Sequence, residues 1–149
     1  MLDVVEDDRN GPTVTDQHAL ARPIGWWLKE ANTRLDAAFD DALQNTGVDR
    51  RGWQVLDSLA RGPVSRAELV DSLAAFDPTE SLQLKVDDVL ERGWLAETDG
   101  VLQLTESGVR QHAAVAPLVG RVRERVRTVL PQDDYVTLVR LLARLTEAL

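Results

Sequence analysis

Apolar positions first acquire a helical period at Ile24. Ile24, Trp27, Leu28, Ala31, Leu35, Ala38, Phe39 and Leu43 recur three and four residues apart, which draws one stripe along a long helix. Pro23 suits a first-turn position, and Gly47 in "NTGVDR" predicts the stop. The polar residues 1–17 ahead of it contain Gly11-Pro12 and no period, and they read as a loose tail. A second helix is predicted over about residues 50–60, with Trp53, Leu56 and Leu59 inward, ending at Gly62-Pro63.

Two short helices follow, each with a start signal. "SRAE" at 65–68 is a capping box, in which a serine oxygen and a glutamate three residues on satisfy each other's backbone N–H groups. "DPTE" at 77–80 is its Asp-led analogue, with Pro78 at the first helical position. The first helix buries Leu69, Val70 and Leu73; the second buries Leu82, Val86, Val89 and Leu90. After Gly93 the period changes from helical to alternating. Asp99-Gly100 predicts a type I′ turn, which needs positive φ at both central residues. Pairing across it sets Leu95 opposite Leu104 and Glu97 opposite Leu102, with the three leucines on one face. Thr105 caps a helix over about 106–130, and Pro131 opens a last one with a stripe of Tyr135, Leu138, Val139, Leu142 and Leu145.

Composition narrows the class. A length of 149 residues, 44% hydrophobic and 28% charged, describes one globular, mainly helical domain. The absence of cysteine excludes disulfides, thiolate catalysis and Cys-based zinc sites. The acidic N-terminus lacks a signal-peptide pattern, and no apolar run approaches the roughly 18 residues of a membrane span, so a cytoplasmic protein is expected. His18 and His112 have no neighbours at metal-ligand spacing. Glycine-rich phosphate loops, a nucleophile elbow and HExxH are likewise missing, so neither catalysis nor a cofactor is expected.

The net charge of −8 argues against a general nucleic-acid binder. Its distribution is uneven. Residues 62–108 hold 3 basic and 10 acidic side chains, a balance of −7, whereas 109–149 hold 7 basic and 4 acidic, a balance of +3.

The phrases "DRRGWQVLDSLARGPVSRAELVDSLA", "VDDVLERGWLAETDGVLQLTESG" and "PQDDYVTLVRLLARL", in this order and spacing, resemble the MarR (multiple antibiotic resistance regulator) family of dimeric winged-helix transcription regulators. The resemblance runs from about residue 20 to the C-terminus. It implies a single MarR-like domain over 18–149, with dimerisation helices at about 18–46 and 109–149. Between them it implies a winged helix-turn-helix lobe at about 50–108, with a small two-stranded hairpin as the wing. It further implies a homodimer, double-stranded DNA as partner, a recognition helix at 78–92, a wing at 94–105, and a small aromatic effector beneath the dimer helices. Broad apolar stripes on both terminal helices also ask for an interface.

A helix in the major groove reads bases with its exposed N-terminal side chains. On this one Thr79, Ser81, Gln83 and Lys85 point outward, with Leu84 beside them; Gln83 matches adenine, and the hydroxyls match most bases. Arg66, in the first turn of the preceding helix, is placed for a phosphate. Family wings carry Arg or Lys, but this one has Glu97, Asp99 and Glu106 nearby and no base, so no DNA contact is assigned to it. "RVRERVR" at 121–127 reads as a dimer-stalk helix with charged flanks. Of the adjacent tryptophans, Trp27 reads as core, and Trp26 reads either as core or dimer-interface packing or as the aromatic wall of an effector crevice; Trp53 reads as core. The acidity also supports an alternative, a winged-helix dimer that has lost DNA binding and serves protein interaction or ligand sensing. Mimicry of DNA is a third reading, with no positive motif behind it.

Overall fold

A computed structural model describes residues 14–149, with side chains from residue 16. Its elements are α1 (Val14–Leu20), α2 (Ile24–Leu43), α3 (Arg50–Ala60), β1 (Val64–Ser65), α4 (Arg66–Leu73), α5 (Thr79–Glu91), β2 (Leu95–Thr98), β3 (Val101–Leu104), α6 (Glu106–Val129) and α7 (Gln132–Ala148). The chain divides within α2 into two units, residues 1–36 and 37–149.

In the first unit, α1 takes up residues 14–17 of the stretch read as a tail; the remainder of that stretch lies outside the described residues. The apolar stripe of α2 forms as its spacing predicts, but its occupant Trp27 is 42% exposed and not core. Its indole N–H donates to the Ala19 carbonyl at 3.0 Å, and Trp26 meets it edge-on with ring centroids 4.6 Å apart. Ile24, Leu28 and Leu35 are exposed as well. Periodicity states which residues share a face, not what covers that face.

The second unit holds the core. Trp53, Val55, Leu56 and Leu59 of α3 pack with Leu69 and Leu73 of α4, Leu82, Val86 and Val89 of α5, Leu95 and Leu102 of the hairpin, and Val115 and Val119 of α6. Trp53 is core, as its position in the stripe predicts. Asp49 caps α3 by accepting from the Gly52 N–H at 2.7 Å.

The two capping signals part company. At α4 the box closes: Ser65 Oγ accepts from the Glu68 N–H at 3.2 Å, and Glu68 Oε2 accepts from the Ser65 N–H at 3.3 Å. Replacing Ser65 by alanine is therefore expected to cost about 1 kcal/mol and to lower the melting midpoint by roughly 2–4 °C, measurable by calorimetry. At α5 no box forms, and Pro78 is the cap residue instead of the first helical one. The Asp77 carboxylate that would have capped the helix is drawn off by Arg51, whose Nε donates to it at 2.5 Å.

The hairpin has the expected register, Leu95↔Leu104 and Glu97↔Leu102, and Asp99 (φ 52°) and Gly100 (φ 77°) take the left-handed conformations its turn needs. The two-stranded hairpin is part of a larger sheet. β1 pairs antiparallel with β3 (Val64↔Leu102, Ser65↔Val101), giving a three-stranded sheet in the order β1-β3-β2. A two-residue strand is too short to leave a period in the sequence. Thr105 joins the hairpin to α6: its hydroxyl donates to the Gly93 carbonyl at 2.6 Å and accepts from the Gly108 N–H at 3.0 Å. In α6, Val115, Val119 and Val122 are buried, whereas α7 buries none of its residues.

Candidate nucleic-acid interface

The helix-turn-helix pair is α4 and α5, with the wing alongside. Leu82, Val86 and Val89 root α5 in the core, which turns Thr79, Glu80, Ser81, Leu84 and Asp87 outward. Leu84 is 69% exposed, an unusual setting for leucine in the middle of a helix. Thr79 and Ser81 stand exposed in the first turn, as the spacing predicts.

The three longer side chains expected at DNA are already in use. Arg66 lies 23% exposed between α5 and the wing. Its Nε and Nη2 donate to both oxygens of Glu97 at 3.1 and 3.0 Å. Nη2 also donates to Asp87 at 2.9 Å, and Nη1 to the side-chain amide oxygen Oε1 of Gln83 at 3.0 Å. Glu97 above all, against the opposing pull of burial and with help from Asp87, raises the affinity of this guanidinium for its proton. Gln83 is thereby tied to Arg66. Lys85 turns to the opposite flank, where it donates to Asp49 at 2.6 Å and lies 3.8 Å from Asp88. Burial of Asp49 raises its pKa, but the Lys85 hydrogen bond, the Gly52 N–H and the charges of Lys85 and Arg92 together outweigh it and leave the carboxyl below its ordinary value.

Two further cations hold the helix ends. Arg51 pairs with Asp77 ahead of α5 and stacks over Phe76, 5.2 Å from the ring centroid. Arg92 donates to the Gly47 carbonyl at 3.0 Å and to Asp88 at 3.2 Å. The wing tip, Thr98-Asp99-Gly100-Val101, is exposed and has no base, as its sequence shows. Sequence reasoning missed Glu97, Asp87 and Asp49 as partners. A signal for the first existed, since pairing Glu97 with Leu102 puts it on the leucine face, toward the body of the lobe.

A cavity of about 430 Å³ opens elsewhere in the second unit, lined by Phe39, Arg50, Trp53, Asp57, Arg61 and Arg123. Arg50 lies over the Phe39 ring at 4.7 Å. Burial, with the neighbouring charge of Arg51, lowers the Arg50 pKa. His112 stacks on Trp53 with centroids 4.8 Å apart, and its Nε2 is 3.1 Å from Asp57 Oδ1. Trp26 belongs to the first unit, where the Arg22 guanidinium lies 4.1 Å over its ring. Among the described residues there is no group of three or more His, Asp or Glu arranged for a metal ion, and no helix is long and apolar enough to cross a membrane.

No protein-family model and no curated protein matches the chain. Solved structures do. A probable transcriptional regulator from Pseudomonas aeruginosa is 27% identical, with a TM-score of 0.69 over 85% of this chain and 98% of that one. A mutant of MarR from E. coli, complexed with operator DNA, is 21% identical, with a TM-score of 0.70 over 85% and 95%. The transcriptional repressor CouR bound to p-coumaroyl-CoA is 24% identical, with a TM-score of 0.72 over 87% and 96%.

Proposed function

We propose that this chain, whose fold is that of the MarR-type winged-helix regulators, is a homodimeric transcription regulator that reads double-stranded DNA with α5 and releases it on binding a small aromatic acid. The observation that carries the reading is the exposed first half of α5, where Thr79, Ser81 and Leu84 stand clear of the core beside a wing. Hydroxyls suit base edges of either kind, and an apolar tip suits a thymine methyl. Gln83 reads adenine only by leaving Arg66, and Lys85 reaches a phosphate only by leaving Asp49. With Arg66 and Lys85 committed to carboxylates of the same lobe, α5 gains little from counterion release, so specificity rests on base contacts more than on charge.

The dimer is supported by α7, whose stripe has no fully buried residue in the single chain and leaves Tyr135, Leu138 and Val139 exposed. The effector is supported by the cavity at Trp53, whose lining joins two aromatic rings to three guanidinium groups (Arg50, Arg61 and Arg123, the last 3.6 Å from Asp57), a set suited to a flat ring bearing a carboxylate. The operator complex of the E. coli protein and the p-coumaroyl-CoA complex of CouR give both partners a precedent on this fold. In this reading Trp53 and Phe39, not Trp26, form the aromatic wall.

Binding to the DNA flanking its own gene, titrated with salt, tests the proposal. With the basic side chains beside α5 engaged, the dimer should give a log–log salt slope shallower than about −4, since each phosphate contact contributes about −0.9. Salicylate should weaken the complex about tenfold and quench tryptophan emission, with the quench kept in Trp26→Phe and lost in Trp53→Phe. If flanking DNA binds no better than random DNA at low salt, the regulator reading falls. The balance of −7 over residues 62–108 then favours a protein-interaction or ligand-sensing dimer.

A further inference from the structure

We propose that Arg66 is a positioning residue, which pins the wing to the recognition helix and sets the relation between these two elements, and that it is not a phosphate contact. The inference rests on the reading of α5 as the recognition helix. Arg66 is the first residue of α4 and touches every other part of the reading head. Its main-chain N–H donates to the Gly100 carbonyl at the wing tip, at 2.9 Å. Its side chain grips Glu97 on β2 through two parallel N–H···O bonds, then reaches Asp87 and Gln83 on α5. Four of the five guanidinium N–H groups are thus engaged, by partners 17, 21 and 31 residues away in the chain.

The planar fork is what makes this possible. Two parallel bonds fix the Glu97 carboxylate in direction as well as distance, which an ammonium cannot do. The register supplies the other half, because Glu97 pairs with the fully buried Leu102 and therefore lies on the face turned toward the lobe. Moving Arg66 to a phosphate breaks both carboxylate contacts and leaves Glu97 and Asp87 unneutralised beside the DNA backbone. A contact that uncovers two negative charges in order to neutralise one is a poor phosphate site. The same two charges make a strong clamp.

Two variants separate the roles. Arg66→Lys keeps the charge and loses the fork. Glu97→Gln keeps Arg66 and removes a negative charge from the DNA-facing side. A clamp predicts that both lose about tenfold in operator affinity with no change in random-DNA affinity, in salt slope or in melting midpoint beyond a few degrees. It also predicts faster amide exchange across residues 97–101 in the free protein. A phosphate contact predicts the reverse: Arg66→Lys binds nearly as the parent, and Glu97→Gln binds operator more tightly. Arg66→Ala in both subunits would then flatten the salt slope by about 1.8. Tighter binding by Glu97→Gln overturns the clamp. Should the parent bind no DNA above background, the regulator reading fails on its own, and exchange at 97–101 alone decides: unchanged protection in both variants overturns the inference, and lost protection upholds it.

Discussion

Gly108→Val is expected to destabilise the protein by about 3 kcal/mol or more, which lowers the melting midpoint by roughly 6–12 °C. A β-carbon at Gly108 would lie 2.0 Å from the Trp94 carbonyl oxygen, 2.9 Å from its carbon and 3.3 Å from Leu104 Cδ2. The first two are backbone atoms with no rotamer to escape into. That carbonyl also accepts the Thr105 N–H at 3.0 Å, so any retreat breaks the bond joining the strand ends of the hairpin. The same crossing carries the Thr105 cap on Gly108 and the Thr105 bond to Gly93. Relief by movement therefore has to separate α6 from the hairpin, which displaces the wing from the core that roots it. Gly120→Ala in the same helix is the control: nothing lies within 4 Å of its added β-carbon, and the helix should gain about 0.5–1 kcal/mol from alanine. Equal midpoints for the two variants in calorimetry would show that the close approach to Trp94 does not constrain the fold.

The largest effect on function is expected from the double variant Leu138→Asp, Val139→Asp. Helix α7 has 17 residues and buries none of them in the single chain; Leu138 and Val139 are 40% and 45% exposed, with Tyr135 and Leu141 beside them. An isolated helix of that length is marginal in water, and in proteins its stability comes from packing one apolar face. In the proposed dimer a second copy of the chain provides that packing, and two carboxylates at the centre of the stripe cannot be buried there without a partner. Light scattering at micromolar concentration should show a monomer where the parent is a dimer. Since two linked half-sites gain on the order of 10²–10⁴ in avidity, operator affinity should fall about 100-fold or more while the winged-helix lobe stays folded. A variant that remains dimeric would exclude this stripe as the interface.

The reading of the sequence succeeds and fails at identifiable places. "SRAE" forms its capping box because both partners sit in one turn and nothing else competes for them. "DPTE" has the same local pattern and forms none, because Arg51, 26 residues earlier, takes the Asp77 carboxylate. In the hairpin, the turn residues and the alternation of Leu95, Leu102 and Leu104 set the register, and the structure follows it pair by pair. The third strand escaped notice because two residues carry no alternation. Arg66, Gln83 and Lys85 were legible as outward-facing side chains of the reading head. That they face carboxylates of the same lobe was not.

Residues adjacent along the chain fix most helix starts and stops, the hairpin turn and its register, and the apolar stripes, while composition fixes the acidic balance of the lobe that carries the wing. Those properties arise from backbone preferences and periodicities acting over a few residues. Which carboxylate meets which cation follows from the folded backbone, since Arg66 reaches Asp87 and Glu97 across 21 and 31 residues of chain. The folded backbone also decides that Trp27 stands exposed while Trp53 is buried, and that the α6 glycine closes on the Trp94 carbonyl. Periodicity assigns a side chain to a face, and a charge to a position. What lies opposite depends on the path of the whole backbone, and in this lobe that path sets Arg66 and Lys85 against carboxylates.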